Sequence, residues 1–332
     1  MKLLRSLVPL VLVSGCAMAQ TPIFGDGAAV GGSRVFSEGL NPLGNSARFD
    51  RPASGVHLGW TQGDEGDKKT FDALKSIGDI TQLSGNLAAL TDQGWAQRTR
   101  AFGVAYVDRG VHSSLVHEET TGLLAQVNGP ATAFDLRRAV VDRVAFGAGS
   151  FEQGSGYGMM IRVERWRTGQ AIQPLPLGQT PDFLAYADTQ HTAVSLNVDF
   201  GYTRELMTGL RFGATVDRLV PRHFRDVYEQ PQLRLGFQMD LGTFAQVSLD
   251  SDVNKAMRMP FPVRQRITTA SLRLMPNAAF SVTLGAERRS VNGQAQIKGG
   301  ANLMFQASTW RIGAGLQLSQ DRPMTAFTYS WF

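Results

Sequence analysis

Apolar and polar residues alternate with a period of two through most of the chain beyond residue 55. Gln232–Met239 reads Gln-Leu-Arg-Leu-Gly-Phe-Gln-Met, and Phe244–Leu249 resumes the pattern after a short turn at Gly242-Thr243. Ile267–Leu274 and Phe280–Glu287 pair about the turn Met275-Pro276-Asn277, and Ala295–Phe305, Trp310–Leu318 and Thr325–Phe332 complete the series. Seven earlier segments alternate similarly: Gly55–Trp60, Arg100–Val107, Val111–His117, Asp142–Phe151, Tyr157–Arg167, Ala193–Arg204 and Leu210–Asp217. Successive side chains of a strand point to opposite faces, so each segment is a strand with one apolar and one polar face. Fourteen alternating segments separated by turn residues predict an all-β, up-and-down antiparallel transmembrane barrel, and the count is even, as single-chain bacterial barrels require.

A water-soluble β-sandwich would alternate in the same way, and two features argue against it. The chain ends Thr325-Ala326-Phe327-Thr328-Tyr329-Ser330-Trp331-Phe332. Tyr329, Trp331 and Phe332 there resemble the C-terminal signal read by the outer-membrane barrel assembly machinery. Trp60, Trp166 and Trp310 lie near predicted strand ends, where aromatic girdles meet the lipid interface. Outer-membrane lipid and the assembly machinery are therefore the expected partners.

Three regions break the alternation. Residues 20–54 are rich in glycine, asparagine and proline, with Gly31-Gly32 and Asn41-Pro42-Leu43-Gly44. Such a segment is either an exposed tail or a plug whose small residues let backbone pack inside a narrow lumen. Between residues 70 and 93, Phe71, Leu74, Ile77, Ile80, Leu83, Leu87 and Leu90 recur every three or four positions, the spacing of an amphipathic helical insertion. Residues 168–190, with Pro174, Pro176 and Pro181, read as a long loop.

The first 19 residues have the build of a secretory signal. Lys2 and Arg5 make a basic end, Leu7–Val13 is an apolar run too short to span a bilayer, and Ala17 and Ala19 offer small residues before a cut ahead of Gln20. Val13-Ser14-Gly15-Cys16 also fits a lipobox, in which Cys16 would be lipidated instead. Under the first cut the mature protein carries no cysteine, so disulfides and thiolate chemistry are excluded. The expected division is thus residues 1–19 as signal, 20–54 as plug and 55–332 as a barrel in the cell outer membrane.

Composition adds little beyond exclusions. The 33 Lys and Arg against 28 Asp and Glu give a formal charge of +5, spread over many strands rather than gathered in a patch, so no nucleic-acid partner is expected. No later stretch is long and apolar enough for a transmembrane helix. A membrane protein without such helices must close its strands into a barrel, because lipid offers backbone groups no partner.

Gly27-Ala28-Ala29-Val30-Gly31-Gly32-Ser33-Arg34-Val35, followed by Asn41-Pro42-Leu43-Gly44, resembles the opening of barrels of the long-chain fatty-acid-transporter (FadL) type. The resemblance extends to the TraF-type conjugal transfer proteins in particular, with PorV-type secretion barrels as cousins. Asp217-Arg218-Leu219-Val220-Pro221-Arg222, Leu249-Asp250-Ser251-Asp252-Val253-Asn254 and Leu284-Gly285-Ala286-Glu287-Arg288 look like the same family's hairpins. Asn-Pro-Leu-Gly departs from the usual Asn-Pro-Ala-Gly. The resemblance implies a fourteen-stranded barrel, an N-terminal segment folded into the lumen, a helical insertion after the first strands, and no enzymatic residues.

Candidate chemistry is sparse. His112 and His117 are five residues apart, which on a strand places them on opposite faces and argues against a shared metal. Gly147, Gly149, Gly154, Gly156 and Gly158 precede a strand rather than a helix and read as a hairpin, not a phosphate loop. His57, His191 and His223 have no assignable catalytic partner. Asp250, Asp252 and Asn254 share one face, where calcium or plain solvation are both conceivable. No catalytic, cofactor or metal residue is assigned. The reading is a non-enzymatic outer-membrane barrel of envelope transport, secretion or conjugal transfer, with secretion or transfer proteins as further partners. The alternatives are a transporter of hydrophobic small molecules and an outer-membrane enzyme.

Overall fold

A computed structural model describes residues 35–36, 54–66, 94–128, 131–175, 191–224, 227–258, 263–291, 294–319 and 322–332. Seven strands come first: β1 (Gly55–Gly66), β2 (Gly94–Asp108), β3 (Val111–Asn128), β4 (Ala131–Glu152), β5 (Ser155–Leu175), β6 (His191–Met207) and β7 (Leu210–Asp217). The three-residue β8 (Arg222–Phe224) and β9 (Val227–Glu229) form a separate small sheet. Then follow β10 (Gln232–Leu241), β11 (Ala245–Asp252), the short β12 (Ala256–Arg258), β13 (Val263–Asn277), β14 (Phe280–Val291), β15 (Gln294–Gln306), β16 (Trp310–Ser319) and β17 (Arg322–Trp331).

Each long strand runs antiparallel to its neighbours. β7 pairs with β10, β11 with β13, and β17 returns to β1. Fourteen strands thus close into a barrel, and closure removes the sheet edge that would otherwise present unpaired backbone groups. The segments 109–110, 153–154, 208–209, 242–244, 278–279 and 307–309 turn at one end, which also holds Gly55 and Phe332. The opposite end carries the long connections, including 67–93, 176–190 and 218–231. Gln153 and Gly154 both adopt positive φ (49° and 78°), as a two-residue type I′ hairpin demands.

The two faces have opposite characters. On β10, Leu235, Phe237 and Met239 are exposed on the outside, while Gln232, Arg234 and Gln238 are buried inside. On β6, Leu196 and Phe200 face out, and Asn197, Asp199 and Thr203 face in. A soluble sheet would bury the apolar set. This barrel buries the polar set and presents a continuous apolar exterior, the surface of a strand protein that crosses lipid. Near the turn end, aromatic rings run from strand to strand. Tyr157, Tyr202, Phe212 and Phe237 stand 5.6, 6.5 and 5.4 Å apart in succession, and Phe280 lies 4.9 Å from Phe305. Trp60, beside Phe327 at 5.9 Å, and the exposed Trp310, Tyr329 and Trp331 belong to the same outer face.

Every alternating segment of the sequence lies on one of the fourteen strands, and the structure corrects several details. Residues 168–175 do not begin a loop: β5 continues to Leu175 and pairs Pro174 with Ala133 of β4. Its ladder to β6 ends at Thr168 and His191. Beyond that point β5 has a ladder partner on one side only among the described residues, where a proline is tolerated. The turn assigned to Met275-Pro276-Asn277 lies instead at 278–279, because Pro276 sits in a register shift between Leu274 and Asn277. Trp166 is not a lipid-facing aromatic. It shares the inward face with Arg162, Glu164 and Thr168 and is only 4% exposed. The signal, the proposed cuts at Ala17, Ala19 and Gln20, Gly31, Gly32, Asn41, Pro42 and Gly44, and the 70–93 helix lie outside the described residues.

Candidate functional site: a charged lumen and its N-terminal occupant

Strand register sets the interior chemistry. Arg143 of β4 lies opposite Glu164 of β5, Arg234 of β10 opposite Asp252 of β11, and Asp250 of β11 opposite Thr269 of β13. All six point inward and are buried. Arg143 donates to Glu164 and reaches Glu118 of β3 at 3.2 Å. Arg162 donates to Asp199 of β6. Arg234 bridges Asp217 of β7 at 3.2 Å and Asp252 at 3.1 Å. Alternating acids and arginines thereby form a belt across β3–β7, β10 and β11. Glu164, Asp199, Asp217 and Asp252 gain charged partners, the condition under which a buried ion is tolerated, while Asp250 accepts from the Thr269 hydroxyl. The backbone N–H groups of Ile267 and Arg218 donate to Asp252 (2.8 Å) and Asp199 (2.7 Å), adding to those pairs.

Against this belt sits a piece of the N-terminal segment. Val35 and Phe36 are fully buried, and the Val35 N–H donates to Asp250 at 3.1 Å. The floor beneath them is a pair of glycines, Gly213 of β7 and Gly236 of β10, which are cross-strand partners. A Cβ added at Gly213 would meet Val35 Cγ1 at 2.3 Å and Phe36 Cζ at 3.0 Å. At Gly236 it would meet Phe36 Cε2 at 3.1 Å and Val35 Cβ at 3.2 Å. The wall has been pared to backbone where the occupant presses on it. Of the N-terminal segment read from the sequence as plug or tail, Val35 and Phe36 are among the described residues, and both are buried against this wall. The contribution of Gly213 and Gly236 was not visible in the sequence, because only register sets them side by side.

Between β6 and the segment after β7, side chains add to one backbone bond, from the Leu219 N–H to the Val198 carbonyl (2.9 Å). β6 and β7 pair from Phe200↔Val216 toward their hairpin. Above that, Asn197 Nδ2 donates to the Val220 carbonyl (3.0 Å), and Asn197 Oδ1 accepts the Val220 N–H (3.1 Å). Asp199 holds Arg218, whose φ of 56° turns the chain out of the strand.

Of the other candidate groups, His57 and His112 are both buried on the inner face of β1 and β3 near the turn end, and the rest do not assemble. His112 is buried inside, and His117 faces out toward Asp142. His57 lies at the turn end and His191 at the opposite end of its strand, and His223 is on β8. Asp250 and Asp252 are engaged by protein donors, while Asn254 binds the Leu233 N–H and the Pro231 carbonyl, so the trio does not converge on a cation. Among the described residues no group of three or more His, Cys, Asp or Glu side chains could hold a metal. At the turn end the C-terminal Phe332 packs under the Arg311 guanidinium at 5.5 Å and edge-on to His57 at 6.0 Å.

No protein-family model and no curated protein matches the sequence, so the resemblance to TraF-type proteins gains no support of that kind. Solved structures do match. The Ralstonia pickettii toluene transporter TbuX is 12% identical with a TM-score of 0.59, over 94% of this chain and 98% of that one. The monoaromatic hydrocarbon channel CymD is 10% identical with a TM-score of 0.61, over 95% and 98%. The Pseudomonas putida toluene transporter TodX is 8% identical with a TM-score of 0.55, over 96% and 98%. The chain shares its barrel fold with these three proteins.

Proposed function

We propose that this chain is an outer-membrane transporter of small hydrophobic molecules, with the N-terminal segment as the plug of its lumen. The observation that carries the reading is the seat of Val35 and Phe36 on Gly213 and Gly236, tied to Asp250. A barrel serving only as a presenting surface needs no such fitted occupant. The shared fold with toluene and monoaromatic hydrocarbon transporters supports the same reading. The conjugal-transfer and secretion readings rest on sequence resemblance alone, and the transport reading takes their place.

An apolar solute gains nothing from a belt of paired charges, so the lumen is a poor path along its whole length. The favourable route leaves sideways into lipid. The β6–β7 wall, where the ladder stops at Phe200 and the Asn197 and Asp199 side chains join one backbone bond from Leu219 to Val198, is where we place that opening.

The test is uptake of radiolabelled toluene by Gram-negative cells expressing the full chain, against cells with an empty vector. Faster uptake that unlabelled toluene competes away is the expected result. Uptake equal to the vector control, with the barrel shown to be in the outer membrane, refutes the transport reading.

A further inference from the structure

On the outer face of β2–β5 the apolar surface ends abruptly. On β5 the outward residues Tyr157, Met159, Ile161 and Val163 are all exposed and apolar, and the next two outward positions are Arg165 and Arg167. On β4, Val144 and Phe146 give way to Asp142, the buried Val140 and then Arg138, and on β3 Leu115 gives way to His117 and Glu119. β2 passes from Phe102 to Arg100, whose Nε has no partner among the described residues. The change occurs on the side of the long connections, away from the short turns. In barrels of this kind the short turns are periplasmic, so the row lies at the outer leaflet.

The cluster is organised around one carboxylate. Asp142 accepts Arg165 Nη2 at 2.7 Å and Nε at 3.1 Å, Arg167 Nη2 at 3.3 Å, and the His117 imidazole. Arg138 pairs with Glu119 at 2.5 Å. Arg138, Arg165 and Arg167 nevertheless remain 43–57% exposed. Four arginines face two carboxylates, and each guanidinium has five donors, so the two carboxylates leave donors over. Asp142 fixes Arg165 and Arg167 side by side, the arrangement that grips a phosphate bidentately.

We propose that this row docks the phosphorylated head of an outer-leaflet glycolipid of the lipid A type. Its acyl chains would lie along Phe146, Ile161 and Val163 below the phosphate. Charge complementarity and continuity with the apolar surface point to one molecule carrying both parts. The inference rests on the outer-membrane placement and not on the cargo.

The experiment uses the full chain purified in neutral detergent and reads lipid retained by native mass spectrometry. Diphosphorylated lipid A, its dephosphorylated form and inorganic phosphate are the probes. Retention of the diphosphorylated lipid is expected, with a drop of about tenfold for the dephosphorylated form and for Arg165→Gln/Arg167→Gln, since each loses charge-assisted bonds. Arg165→Lys/Arg167→Lys keeps the charge but loses the fork and should fall between. It carries the test if the glutamine variant loses the gel shift of a folded barrel. Undiminished retention by whichever folded variant is measured overturns the proposal. So does displacement by inorganic phosphate alone, which would mark a free-anion site. A chain that takes up toluene yet retains no lipid A defeats this inference and leaves the transport reading standing.

Discussion

Two glycines and one aspartate decide whether the lumen keeps its occupant. Gly213→Ala places a methyl 2.3 Å from Val35 Cγ1, and the β-branched valine cannot swing clear without leaving its seat. The barrel itself keeps every ladder bond, so the variant should fold and reach the membrane with the plug displaced. The expected outcome is increased killing of expressing cells by a large polar antibiotic that the outer membrane normally excludes. Unchanged sensitivity would mean that Val35 and Phe36 are not what closes the lumen. The ionic belt behaves differently. Glu164→Ala leaves Arg143 buried with only Glu118 for a counter-ion, and breaking one partner of a buried pair costs about 3–5 kcal/mol. A lower temperature for losing the unboiled gel shift is the measurement. Glu164→Ala should shift it far more than substitution of the exposed Arg204.

At the level of the strands, the sequence was informative wherever lipid lies on one side and the lumen on the other. That asymmetry imposes the period of two, and all fourteen alternating segments fall on strands of the barrel. Legibility fails where the asymmetry ends. β4 and β5 extend to Ala131 and Leu175, well past the alternating stretches, because above the apolar surface neither face is selected by lipid. Trp166 lies near the end of the alternating stretch Tyr157–Arg167, on the face of Arg162 and Glu164, and reading it as a girdle aromatic overrode that alternation. The lumenal site was illegible for a related reason. Arg143 and Glu164 are 21 positions apart, and only the register of a hairpin makes them neighbours. The side-chain seal between β6 and the Arg218–Val220 turn is likewise a product of register. Asn197→Ala removes both of its bonds to Val220, at a cost of about 1–3 kcal/mol where a buried backbone group loses its partner. Faster hydrogen exchange confined to residues 218–220 would locate that loss, while uniform exchange along β6 and β7 would assign the seal to something else.

The whole molecule is organised by an inversion of the usual solvent logic. Its exterior is the apolar phase boundary and its interior holds the charges, so substitutions on the two faces of one strand should have different consequences. Leu284 faces out from the middle of β14 and is 46% exposed, and Thr283 beside it faces in. In water an exposed Leu→Arg change is almost neutral, usually within about 0.5 kcal/mol. At the midplane of a bilayer the same change costs about 2–4 kcal/mol, because the guanidinium must be drawn from water or must thin the lipid around it. Thr283→Ser removes one methyl from the lumen and should cost no more than about 1 kcal/mol. Urea titration of the chain folded into liposomes separates the cases. A midpoint lowered strongly by Leu284→Arg and barely by Thr283→Ser places the outer face in hydrocarbon. If Leu284→Arg leaves the midpoint where it was, that face meets water, and both the transport reading and the lipid A site lose the membrane they require.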